Sequence, residues 1–382
     1  MKKVCFIVSS KQTIQAFLLN HIRELSRSYE LYVVANTTDL HFLSRFRIEC
    51  KMIAVPIQRE VSLVNDLVAL FSLIRVFCRE RFVIIHSVTP KAGLLSMIAG
   101  KLCGVPVRVH TFTGQIWATC VGLRRYFFKA LDKVLVYSST HILADSASQR
   151  EFLIREGVVS KDKSRVLANG SISGVDAKRF KPNSVAAQAV RCLHGIPASD
   201  FVFIYVGRFK KDKGLLDLAK AFSRLSAEHP DIWLMLIGPD EENLTPIVKK
   251  ICGGCVDRVV FTDFVDAPEE YMAAADVFCL PSYREGFGNV IIEAAACGIP
   301  SIASRIYGII DAVADGETGC LYNVGNVCSM LAAMTKMLDA PGLRRQMGDV
   351  ARNRAIAKYS QKAVTESLIA FYGQILMSLP RS

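Results

Sequence analysis

The chain has 382 residues, 51% of them apolar and 21% charged, long enough for two domains with full cores and too long for a small stapled scaffold. Its net charge is +12, and residues 1–182 hold 27 Lys+Arg against 13 Asp+Glu while the remainder holds 20 against 22. The first half should therefore face something anionic: a membrane leaflet, a phosphorylated acceptor or nucleic acid.

MKKVCFIVSS opens with a basic head, but its apolar part is short and no cleavage site follows, so it reads as a first strand and not a signal peptide. ELYVVA, FVIIHS, VRVHTF, HILADS and RVLANG then recur with helical segments between them. Continuous apolar strands alternating with helices predict a parallel sheet covered on both faces. The most hydrophobic helical stretch, VSLVNDLVALFSLIRVF from Val61, is broken by Asp66 and Arg75, short of the ~18–20 uncharged residues that span a bilayer. Lys91 falls at a predicted helix start, where a cation opposes the dipole unless an anionic ligand is near. GLRRYFFKALDKVLV interleaves Arg124, Arg125, Lys129 and Lys133 with Tyr126, Phe127 and Phe128. Two readings stand: a helix lying on an anionic leaflet, or an amphipathic helix whose aromatics are core. The one-sided charge favours the first.

After GVDAKRFKPNS the pattern restarts, with FVFIYVG, WLMLIG, VVFTDFV, DVFCLPS and SIAS as strands. This predicts an α/β chain of two doubly wound domains, residues 1–182 and 183–360, facing across a cleft, with a last helix at about 361–382 packing back on the first. Gly207 ends a strand and opens a loop with Arg208, Lys210, Lys211 and Lys213, suited to binding phosphate. In REGFGNVIIEAAACG, Gly286 and Gly288 let backbone N–H groups approach a ligand at a helix start, an anion site. Glu285 sits at that loop, and Glu293 leans back toward it from the helix. The twelve cysteines are scattered as reduced thiols would be, and Cys252 and Cys255 have no second pair at zinc spacing.

VGR…KG, FTDFV, PSYREGFGNVIIEAAACGIPSIAS and DGETGCLY resemble the donor domain of family 4 retaining glycosyltransferases of GT-B fold, with their E-x7-E motif. HSVTPKAGLLSMIAG…VPVRVHTFTGQ looks most like bacterial enzymes of O-antigen and capsule assembly. The resemblance implies a metal-independent hexosyl- or N-acetylhexosaminyltransferase that takes a nucleotide-sugar, a UDP-sugar, as donor. Its acceptor would be a polyprenyl-diphosphate-linked or other lipid-linked sugar, and the enzyme would lie on the cytoplasmic face of the bacterial inner membrane. It makes Arg208, Lys213 and Gly207 contacts to the diphosphate and gives Glu293 the ribose hydroxyls. Glu285 with the backbone of Gly286, Phe287 and Gly288 would meet the sugar and β-phosphate, and Val265 would line the base pocket. No D-x-D triplet for a metal occurs.

The first half departs from that pattern. The loop after the first strand, SSKQTIQ, lacks the relatives' glycine pair. Where relatives carry a histidine after the strand, Thr113 stands, with His110 three residues earlier. Either Thr113 and Gly114 take the role by hydrogen bonding, the favoured reading, or a shifted strand end brings His110 in. His86 with Lys91 is expected at the acceptor, Lys91 on its phosphate. A GT-B sugar-nucleotide epimerase and a basic nucleic-acid-binding protein are the alternatives; no nucleic-acid recognition motif is legible.

Overall fold

The apolar runs ELYVVA, VRVHTF, FVFIYV and IWLMLI form strands, and in the computed structural model, which describes residues 1–58 and 62–379, every strand pairing is parallel. The chain divides into two units. The first, Met1–Ser173 with Gln361 onward, is built on β1 (Lys3–Ile7), β2 (Glu30–Ala35), β3 (Lys51–Ala54), β4 (Ile84–Ser87), β5 (Val107–Phe112), β6 (His141–Ala144) and β7 (Ser164–Val166), in the order β3-β2-β1-β4-β5-β6-β7. Val4, Phe6, Val33, Ile84 and Val109 are wholly buried in its core.

The second unit, Gly174–Ser360, has β8 (Phe201–Val206), β9 (Ile232–Ile237), β10 (Val259–Thr262), β11 (Val277–Leu280), β12 (Ser301–Ser304) and β13 (Gly319–Tyr322), in the order β10-β9-β8-β11-β12-β13. Both sheets reverse direction of winding beside their first strand, between β1 and β4 and between β8 and β11. In open parallel sheets that reversal leaves a crevice at the strands' carboxyl ends, where ligands bind. These are two Rossmann-like domains, the GT-B class.

The division falls earlier than the expected residue 183. Val175 bridges to Ser360 and Phe180 is buried in the second core, so the segment before Pro182 already belongs to the second unit. The last helix, Gln361–Met377, belongs to the first. Thr365 accepts from Asn20 Nδ2 at 2.7 Å and donates to His21 Nδ1 at 2.9 Å, and His21 Nε2–H donates to the Ile172 carbonyl at 2.7 Å.

Candidate active site

The loops after β8 and β11 flank the crevice of the second unit, and several bonds tie them together. Gly214 (φ +71°) packs so tightly that an added Cβ would lie 2.0 Å from the Pro281 carbonyl oxygen; only glycine tolerates both the space and the left-handed backbone. Tyr283 N–H donates to the Asp212 carbonyl at 2.9 Å, and Arg284 pairs with the Asp212 carboxylate at 2.6 Å. At the centre, Lys213 Nζ donates to Glu285 Oε1 at 2.6 Å, and Ser282 Oγ donates to the same oxygen at 2.8 Å. Lys213 and Glu285 are each under a fifth exposed. The carboxylate thus enters the crevice with its charge already matched.

Gly288 (φ +83°) caps the helix Asn289–Ala296 and, having no side chain, brings no capping group of its own. Its first N–H groups and positive dipole end suit an anion. The Phe287 ring turns away into the core, 5.0 Å from Tyr359, so this residue offers its backbone alone. Arg208 is half exposed and pairs with Glu241 Oε2 at 3.0 Å; Lys210 spans Glu241 and Glu242. These two acids, in the loop after β9, were not singled out in the sequence, although PDEEN shows them. Burial pushes the Glu293 carboxyl up to about 7 against the pull of Arg179. Arg179 is itself clamped on Glu269 by two bonds of 2.8 and 2.9 Å. Val265 packs half-buried against the core, while its neighbour Phe264 is 64% exposed. Periodicity cannot separate these adjacent apolar residues; the turn after β10 does.

In the first unit the two histidines are structural. His86 is buried with both ring nitrogens engaged, Nδ1 on Tyr372 OH and Nε2 on Thr111 Oγ1, each at 2.7 Å. This corrects its assignment to an acceptor. His110 lies inside β5 and bonds Ser87 Oγ through Nδ1 at 2.8 Å. A Cβ on Gly93 of the helix Pro90–Leu102 would lie 2.4 Å from its ring, so that helix seals His110 from solvent. No shifted strand end exposes it. Burial pushes both rings down to about 3, holding them neutral. Thr113, half-buried, and Gly114 (φ +118°) stand at the carboxyl end of β5. Lys91 does begin a helix, and Asp66 of the helix Leu63–Glu80 lies 2.5 Å from its ammonium. That carboxylate, missed because it lies 25 residues upstream, answers the unfavourable dipole without an acceptor phosphate.

A family model described as "Glycosyl transferase 4-like domain" matches residues 14–170, and one described as "Glycosyl transferases group 1" matches residues 190–354. The chain belongs to the family 4 glycosyltransferases. This glycosyltransferase is 29% identical over 369 residues to the capsular polysaccharide biosynthesis glycosyltransferase CapM of Staphylococcus aureus, covering 93% of this chain and 97% of that one. It is 28% identical over 285 residues to an Escherichia coli UDP-Gal:alpha-D-GlcNAc-diphosphoundecaprenol alpha-1,3-galactosyltransferase, covering 74% and 73%. Among solved structures, Anabaena HepE in complex with UDP and glucose superposes with a TM-score of 0.80 at 20% identity, covering 98% of this chain and all of that one.

In the glycosyltransferase the helix Gly122–Ser138 buries Leu135 and Val136 at its end but turns the apolar side chains of its first turns outward. Leu123 is 87%, Tyr126 70% and Phe127 57% exposed, which removes the core reading for these residues. Arg124 is also exposed and stands over the half-buried Phe128 ring at 5.7 Å. Arg125 and Lys129 are corrected: both pair with Glu156, at 2.9 and 2.7 Å, and flank the Trp117 ring, so they serve the fold. The helices 63–80, 90–102 and 122–138 pack side by side, and the first also carries exposed Leu63, Val64, Leu67, Val68 and Phe71. Among the described residues no helix is long and apolar enough to cross a membrane, and no group of His, Cys, Asp and Glu is arranged to hold a metal ion.

Proposed function

We propose that this glycosyltransferase moves a hexosyl or N-acetylhexosaminyl group from a UDP-sugar to a lipid-linked glycan, with retention and without a metal, at the cytoplasmic face of a bacterial membrane. The observation that carries the reading is the meeting of Lys213 and Glu285 at the crevice beside the glycine-capped start of helix 289–296. The helix start and Lys213 receive the diphosphate, with Arg208 joining once it leaves Glu241. Buried donors and dipoles of this kind stabilise the charge that grows on a leaving diphosphate, the task a metal ion performs elsewhere. The bond from the anomeric carbon to the β-phosphate oxygen breaks while the acceptor oxygen bonds on the same face, and the acceptor proton passes to the departing phosphate. Glu285, neutralised by Lys213, orients the sugar, with Thr113 and Gly114 on the acceptor side. The HepE complex with UDP and the diphosphoundecaprenol substrate of the Escherichia coli relative support the donor and acceptor classes.

The experiment is a thermal-shift series with UDP- and GDP-sugars in EDTA. UDP and one UDP-sugar are expected to raise the melting temperature, and Arg208→Ala or Glu293→Ala to abolish the shift. A response to no nucleotide-sugar, or only to GDP-sugars, overturns the proposed donor.

A further inference from the structure

Two thiols that lie 25 residues apart in sequence meet between helices. Cys78 is in the last turn of helix 63–80, and Cys103 follows helix 90–102. Their sulfurs are 3.2 Å apart, inside the distance at which two non-bonded sulfurs rest and about 1.2 Å from a covalent bond length of ~2.05 Å. The two helices pack against one another, and the sulfurs already lie within about 1.2 Å of bonding distance. Cys252 and Cys255 are neighbours too, but both are buried and the Cys255 thiol bonds the Cys252 carbonyl at 3.0 Å, whereas Cys192 and Cys328 are exposed.

We infer that Cys78 and Cys103 form a reversible oxidation site, in which a hydroperoxide converts the two thiols to an intramolecular disulfide. The two sulfurs are differently placed for it. Cys78 is exposed, whereas Cys103 is partly covered and bonded also toward the Ile74 carbonyl. Cys78, as thiolate, attacks the peroxide oxygen; the O–O bond breaks, hydroxide leaves and a sulfenic acid forms. Cys103 sulfur then attacks the Cys78 sulfur, the S–O bond breaks, and water leaves with the Cys103 proton. Two electrons pass from the pair to the peroxide. Burial first, and then the hydrogen bond with Cys78, hold the Cys103 thiol up at about 12.

Bond formation staples helix 63–80, which carries the exposed apolar residues Leu63 to Phe71, to helix 90–102. It closes a ring that runs from Cys78 to Cys103 and contains β4, a constraint on the unfolded chain. This site is independent of the donor reading above, since both cysteines belong to the first unit and the donor crevice to the second.

The reduced full-length protein is treated with a slight excess of hydrogen peroxide, quenched with N-ethylmaleimide, digested with trypsin and read by mass spectrometry. The expected product joins the peptides 76–79 and 102–108 with loss of two hydrogens, forms before Cys192 and Cys328 are modified, and reverts with dithiothreitol. It should raise the melting temperature, and a Cys103→Ser variant should instead accumulate a dimedone-trapped Cys78 sulfenic acid. Alkylated Cys78 and Cys103 after peroxide, sulfinic acid at Cys78 with Cys103 still a thiol, or disulfides only between molecules would each overturn the inference.

Discussion

Glu293 lies in the second turn of its helix, with a carboxyl that burial holds up at about 7. Its folded value lies above its ordinary one, so the proton-bound form steadies the native state at acid pH, and that contribution is lost as pH rises through 7. Ligand binding runs the other way. If the carboxylate takes the ribose hydroxyls, a charged acceptor gains about 1 kcal/mol over a neutral one, and UDP should bind about fivefold more tightly at pH 8 than at pH 6. Calorimetry on wild type and Glu293→Gln decides this: a flat profile in the wild type removes the contact. Arg208 presents a second test. Its half-exposed pair with Glu241 is worth about 0–1 kcal/mol, and it must open for the guanidinium to reach phosphate. Glu241→Gln should therefore lower the UDP dissociation constant by up to about fivefold. The gain should vanish in Arg208→Ala; unchanged affinity in the single variant means that Glu241 is no competitor.

At the level of elements, the helix 122–138 offers the clearest prediction. Leu123 and Phe127 project into solvent, and burying a large apolar side chain is worth about 1.5–3 kcal/mol. Leu123→Asp with Phe127→Asp should weaken sedimentation with anionic vesicles by about a hundredfold or more while leaving the thermal response to UDP intact. Equal sedimentation of variant and wild type would assign the exposed aromatics to another partner. That helix also marks where sequence reading stops. Its basic and aromatic composition was plain, but which face is inward depends on Trp117 and Glu156, and these select Arg125 and Lys129 while leaving Arg124 outside. The central strands were legible because burial on both faces makes them continuous apolar runs. β3 and β13 were not: each is a four-residue edge strand, KMIA half-exposed and GCLY opening on glycine, and edge strands carry little pattern. The donor crevice was readable for a local reason, since its glycines, cations and glutamates sit in two short loops. His86 and His110 misled because a strand-end histidine looks alike whether its ring meets solvent or, as here, Tyr372 and Gly93.

Across the whole molecule the neutral histidines set an acid limit. His21, His86 and His110 are all buried in the first unit with their values pushed down by desolvation. The unfolded chain takes up their protons below about 6.5 and the native chain does not. Stability is therefore full above that pH and falls as pH drops, for His86 and His110 toward 3 by about 1.4 kcal/mol per pH unit each. A Trp233→Phe variant leaves Trp117, in the first unit, as the fluorescent reporter. Its unfolding temperature should drop steeply between pH 6 and pH 4, and less so in His86→Gln; a level profile would show that these rings titrate normally.

The helix 361–377, fixed to the first unit through Thr365 on His21 and Tyr372 on His86, also orders events during synthesis. Domains ordinarily fold from the amino end as they emerge, but here the sheet that is made first lacks its partner helix until the entire second unit has been translated. At about 5–20 residues per second that delay is roughly 10–40 s, during which His21 Nδ1 and His86 Nδ1 lack the hydroxyls of Thr365 and Tyr372. The second unit, contiguous from Gly174 to Ser360, is under no such constraint. The domain made last is thus free to complete itself first, and the nascent first domain is the one that a chaperone would have to shelter.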